Sequence, residues 1–194
     1  MGRQAQIGRA VILDTALKIA DDHGLDAVTM HGVARSLEVT PMALYRHVAS
    51  KAALLDGLVE VLLTEIPLPP RAQPWDEFLM ALAAAIRATA RRHPAAFPLL
   101  LFRPAVTPAA TSVRDAVHQA LRQAGVPEAQ VARTERLLST AVLGFAVSEA
   151  TGRFYRHDQA AIDADFAELQ RWLRQLLPPG STNQTAGNTV GETS

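Results

Sequence analysis

Hydroxyl, phenol, imidazole and ammonium groups gather in one short stretch of this chain: Thr29, Thr40, Tyr45, His47 and Lys51. Such groups suit phosphate. Hydroxyls and free backbone N–H groups at helix starts favour an anion, and a lysine adds a mobile positive charge. Each also has a plain structural role: a helix cap, a buried tyrosine, a solvated lysine. Pro41, Met42 and Ala43 stand among them. Small apolar side chains there suit a thymine methyl, while Arg46 suits guanine or phosphate. Covalent chemistry is poorly served. The chain has no cysteine, which excludes thiolate metal sites, disulfides and a cysteine nucleophile. His23, His31, His47, His93, His118 and His157 form neither an i,i+4 pair nor an HExxH motif. Nucleophile elbow, glycine-rich phosphate loop and paired catalytic carboxylates are all missing. The chain is therefore expected to use no metal and no cofactor, and not to be an enzyme.

Helices must position the phosphate-type groups, because strand signals are nearly lacking. Ala and Leu dominate, and proline and glycine cut the chain into helix-sized pieces. Ile12, Leu13, Ala16, Leu17 and Ala20 make a helical stripe over 7–23, closed by Gly24. Thr29 caps a second, short helix carrying Val33, Ala34 and Leu37 inward. Thr40 is expected to cap a third, with Pro41 in its first turn. Ser50 caps a fourth, which ends at the proline-rich run 67–74. Further helices are predicted at 75–92, 95–102, 109–124, 128–152 and 159–177. The fold class is all-α: an N-terminal three-helix helix-turn-helix domain (1–50) and a larger helical ligand-binding and dimerisation domain (51–177). The small, polar tail 178–194 is too poor in apolar side chains to offset its ordering entropy and is expected to be disordered.

Helices of about 15, 8 and 7 residues, the last two joined by Leu37-Glu38-Val39-Thr40, describe a helix-turn-helix whose third helix can enter a major groove. Charge agrees only locally. The whole chain balances 19 basic against 19 acidic side chains, and residues 1–65 hold six basic against eight acidic. A globally basic surface is excluded. Arg3 and Arg9 stand before or at the first helix, where a basic arm reaches DNA in other folds.

The segment 29–55, with Thr29, Val33-Ala34, Val39, Leu44-Tyr45-Arg46-His47, Lys51 and Leu54-Leu55, resembles the DNA-binding segment of the TetR family of bacterial transcriptional regulators. The likeness runs from about residue 9 to 63. It implies an all-helical homodimer with double-stranded DNA and a small-molecule effector as partners. It also implies Thr29, Thr40, Pro41, Met42, Ala43, Tyr45, Arg46, His47 and Lys51 at the DNA. Glu38 departs from the family, which often has glycine in this turn. If the turn needs a positive φ, glutamate there costs roughly 1 kcal/mol.

The remaining two-thirds carries weaker signals. Ala141, Gly144 and Ser148 form a row of small residues on helix 128–152. Ile162, Phe166, Leu169 and Leu173 repeat in heptad fashion on helix 159–177. Both are expected at a dimer interface, with core of the same chain as the alternative. Phe97, Leu100, Phe102, His118, Leu121, Val142, Phe145 and Glu149 are candidates for an effector pocket of apolar walls and few polar groups. An i,i+4 pair of Glu149 with Arg153 is the plainer reading of that carboxylate. Trp75 and Trp172 read as packing anchors. No segment has the length and apolarity of a membrane span, and the N-terminus lacks an apolar signal core, so a cytoplasmic protein is expected. Together these point to a ligand-responsive, DNA-binding repressor acting on a palindromic operator. An activator on the same scaffold, or a helical small-molecule-binding protein or enzyme, is the alternative.

Overall fold

The computed structural model describes residues 7–104 and 107–177. Among them every regular element is a helix: α1 (Arg9–His23), α2 (Met30–Ser36), α3 (Pro41–Tyr45), α4 (Lys51–Glu65), α5 (Trp75–Arg92), α6 (Leu99–Phe102), α7 (Pro108–Gln123), α8 (Glu128–Ala150) and α9 (Gln159–Gln175). The tail 178–194, with its expected disorder, lies outside the described residues, as does Arg3.

Local chemistry sets most helix ends. Thr29 accepts a hydrogen bond from the Gly32 N–H at 2.9 Å, and Ser50 accepts one from the Ala53 N–H at 3.1 Å. Each satisfies a backbone donor that the first turn leaves open. Gly24, at φ 83°, ends α1 as expected. Thr40 departs from expectation. It precedes α3, but its hydroxyl makes no capping bond; Pro41 already removes one of the donors a cap would serve.

A first core gathers α1 to α4 around Ile12, Leu17, Val33, Leu44, Leu54, Leu58 and Leu62. Burying each leucine fully is worth about 2 kcal/mol, which holds the five-residue α3 that could not stand alone. α1 and α4 cross closely. A Cβ at Gly57 would run into the Leu13 methyl groups, so any larger residue there forces that buried side chain to shift. The same core takes in Phe97 just before α6, Leu99 of α6 and Ala146 of α8, so no gap separates the head from the body. A second core joins α5, α7 and α8 through Phe78, Leu82, Ala120, Leu121 and Val131. A third sets Phe166 and Leu173 of α9 against Ala83 and Val142.

That third core corrects the heptad reading of α9. Ile162, Phe166 and Leu173 are buried within their own chain, and Leu169 packs beside them. The stripe faces α5 and α8, the nearest apolar surfaces, rather than another molecule. Ala141 also packs on this core. Trp172, expected as an anchor, is instead 58 % exposed one helical step round from the stripe, and Leu176 is 76 % exposed beside it. Trp75 does pack against the second core.

Candidate nucleic-acid interface and ligand cavity

The turn between α2 and α3 is closed by backbone bonds from Glu38 N–H to the Arg35 carbonyl (3.1 Å) and from Val39 N–H to the Ala34 carbonyl (2.9 Å). Closing it puts Glu38 at φ 55°, the left-handed region that favours glycine. Val39 packs against the head core behind the turn.

α3 is held by one residue and offers the rest. Leu44 is fully buried, while Met42 is 74 % and Tyr45 46 % exposed. Tyr45 is therefore not a core residue. Thr40, Arg46, His47 and Lys51 are exposed as well, and Thr29, Pro41 and Ala43 are half-buried. All nine expected residues, on the strip of chain from the start of α2 to the start of α4, thus keep some surface open. Arg46 and His47 fall just past the last residue of α3.

The charge arrangement sharpens this strip. Acidic groups of the head are tied to cations elsewhere: Lys18 to Asp14 at 2.9 Å, Arg9 to Glu60 at 2.8 Å, and Arg103 to Asp56 at 2.7 Å. Among the described residues, Arg46 and Lys51 have no acidic partner. Of these cations only Arg103 comes from outside residues 1–65, so the pairing localises the head's acidic groups away from α3 more than it lowers their number. Arg9 is correspondingly not part of a loose arm; it opens α1 bonded to Glu60.

Behind the head, a cavity of about 190 Å³ opens among α4 to α9. Leu63 and Ile66 close it from the end of α4, Leu100 from α6, and Leu173 and Leu177 from the α9 end. The walls come from Leu79, Leu82, Ala83 and Ile86 of α5, Val113 and Val117 of α7, and Leu138, Val142 and Leu143 of α8. Arg114, Glu135 and Ser139 are its polar lining.

Of the eight candidate pocket residues, Leu100 and Val142 line this cavity and the other six stand elsewhere. Phe97 is buried in the head core and Leu121 in the second core. Phe102 points outward at the end of α6. His118 lies one residue beyond Val117 on α7, turned off the cavity, with its Nε2 buried and unbonded. Phe145 stacks at a tilt between Phe154 and Phe166, 5.3 and 5.2 Å between ring centres.

Glu149 takes Arg87 as its partner, not Arg153. The guanidinium donates from Nε to Oε2 (2.5 Å) and from Nη2 to Oε1 (2.7 Å), and Nη2 also reaches Asp163 at 2.6 Å. The Phe166 ring lies under it, 4.7 Å from its centre. Burial pushes the Glu149 carboxyl up, but the bonds from Arg87 and Gln159 outweigh this and hold it below the usual carboxylate range. The bonds from Gln159 and Arg87 lower Asp163 in the same way. Sequence reasoning missed this cluster because its members lie on α5, α8 and α9.

Two joints tie the body to the head. His93, at the end of α5, sets Nδ1 2.8 Å from Asp21 of α1 and Nε2 2.8 Å from Glu65 of α4. Arg103, just past α6, reaches both Asp56 and the Ala52 carbonyl at the start of α4. No described helix is long and apolar enough to cross a membrane.

Residues 12–58 match the family described as bacterial regulatory proteins, tetR family, and residues 79–173 match the tetracyclin repressor-like C-terminal domain. A transcriptional repressor of Streptomyces coeruleorubidus, DrrR1, is 28 % identical over 172 residues, covering 87 % of this chain and 64 % of that protein. The chain spans about two thirds or less of the length of the curated relatives it matches. BioQ, solved with its natural double-stranded DNA operator, is 30 % identical with a TM-score of 0.72, covering 88 % of this chain and 99 % of that one. ActR of Streptomyces coelicolor, solved with (S)-DNPA, is 25 % identical with a TM-score of 0.70, covering 86 % of each chain.

Proposed function

The chain belongs to the TetR family of bacterial regulatory proteins, and from that premise we propose that it is a homodimeric repressor that leaves a palindromic operator when a small molecule fills the cavity. The observation that carries the reading is α3: buried through Leu44, with Met42 and Tyr45 turned outward beside unpaired Arg46 and Lys51. Thr29, Thr40, Tyr45, His47 and Lys51 hold phosphates. Pro41, Met42, Ala43 and Arg46 read base edges. Residues 1–50 form the DNA-binding unit and 51–177 the effector and dimer unit, with α4 packed into both. The protein acts in the cytoplasm by binding, without turnover.

One short recognition helix reads few base pairs, so two are needed about 34–36 Å apart. The outer side of α8 and α9 supports pairing. Gly144 has open space where a Cβ would stand, Leu137 and Trp172 are exposed apolar groups on the same two helices, and Leu176 is another just past α9. Exposed apolar patches of this kind mark interfaces. Gly144 and Ser148 belong to this face, with Trp172 and Leu176 replacing the heptad stripe.

A route from cavity to DNA is built in. Leu100 lines the cavity, and Arg103, three residues on, holds the first turn of α4, where Lys51 stands. An occupant that displaces α6 therefore displaces α4. For near-complete release it must favour the released state by about 5 kcal/mol. The test is fluorescence anisotropy on palindromic fragments from near the protein's own gene. Saturable, salt-sensitive binding to one fragment is expected; no binding to any fragment at low salt overturns the reading.

A further inference from the structure

The cavity's lining restricts its occupant more narrowly than the word effector does. Its walls, among them Leu82, Ile86, Val113, Val117, Leu138 and Val142, offer no hydrogen-bonding side chain. A polar group pushed among them would lose its water without replacement, which is costly. The polar lining is confined to Arg114 and Ser139, together with Glu135. Ser139 donates its hydroxyl to the Arg136 carbonyl at 3.2 Å, so its remaining lone pairs can accept. Arg114 and Glu135 bring one charge of each sign to the lining, so a net charge on the occupant meets no net complement.

Size narrows it again. A cavity of about 150 Å³ takes one benzene ring, and drug-sized ligands occupy upwards of roughly 300 Å³. At about 190 Å³ this one suits a single substituted ring or short alkyl body. We propose that the cavity binds a compact, uncharged lipophile of about eight to ten non-hydrogen atoms, whose one hydroxyl-type end meets Ser139, Arg114 and Glu135. This deepens the effector reading above and rests on it.

The probes are 4-propylphenol, propylbenzene, 4-propylbenzoate and tetracycline, titrated calorimetrically into the full chain, with operator binding measured in parallel. 4-Propylphenol should bind best. Ser139→Ala should weaken it about three- to tenfold, the worth of one neutral hydrogen bond, and leave propylbenzene unchanged. Val113→Phe and Val142→Phe fill the space; either should cost both ligands at least tenfold while the variant keeps the native helical circular dichroism and a cooperative thermal transition, which certify its folding. Failure of 4-propylphenol to bind, tighter binding of 4-propylbenzoate or tetracycline, or unchanged affinity in both filled variants overturns the proposal. If 4-propylphenol binds in the cavity yet never releases DNA, the ligand class stands and the release reading falls.

Discussion

Arg87 and Glu149 form a two-point ion pair 62 residues apart in sequence, with side chains 11 % and 6 % exposed. It joins α5 to α8, and Asp163 extends it to α9. Removing one member of a buried pair leaves the other charge without its partner. Glu149→Leu should therefore destabilise the fold by about 3 kcal/mol in urea unfolding. Arg87→Met combined with Glu149→Leu should cost clearly less than the sum of the two single changes. Additive losses would show that the two groups do not act as a pair.

The same pair sets a pH dependence. Glu149 and Asp163 both ionise below their usual range in the folded chain. A lowered folded value contributes stability that is complete above the unfolded value, about 4 for these groups, and lost as pH falls through the folded value. The urea midpoint of the native chain should exceed that of Arg87→Met by its full margin near neutral pH, where Glu149 is ionised even without Arg87. The margin should close as pH drops below about 4. A margin that widens on acidification would contradict the arrangement.

Glu38 carries backbone strain that glycine would relieve. It is exposed, so its side chain contributes little packing, and its φ of 55° costs a residue with a Cβ about 1 kcal/mol. Glycine returns part of this through greater unfolded-chain freedom. Glu38→Gly should still raise Tm by roughly 2 °C and tighten operator binding, because a negative charge leaves the turn before α3. Glu38→Gln separates the two effects: it should tighten binding without raising Tm. A lower Tm for Glu38→Gly would mean that the turn gains more from the glutamate than its strain costs.

How far these features could be read in the sequence depends on the range of the interactions behind them. The head was legible because its signals are local. Thr29 and Ser50 cap the helix they begin, Gly24 ends the one it follows, and the strain at Glu38 follows from a tight turn between two short helices. The Ile162–Phe166–Leu169–Leu173 stripe was legible as a stripe, but its spacing says nothing of which surface it meets. Arg87 was invisible because its partners lie on two later helices. Phe97 and Leu121 have the composition of pocket residues, but each points into a different core. Only the way α5, α7 and α8 diverge decides which apolar residues face empty space.

Positioning and reading should separate in the DNA-contact strip. Lys51 starts α4 with a mobile charge, so Lys51→Ala should weaken binding to every sequence alike and flatten the dependence of log K on log salt by about one unit. Tyr45→Phe removes a hydroxyl from an exposed ring while keeping its packing; it too should weaken all sequences alike, with the salt slope unchanged. Met42, the most outward group of α3, should behave differently. Met42→Ala should cost about 1–2 kcal/mol at the operator and little on unrelated DNA, narrowing the ratio between them. Competition anisotropy at three salt concentrations measures all of this. A loss confined to the operator for Lys51→Ala, or spread evenly over all DNA for Met42→Ala, would reverse the two assignments.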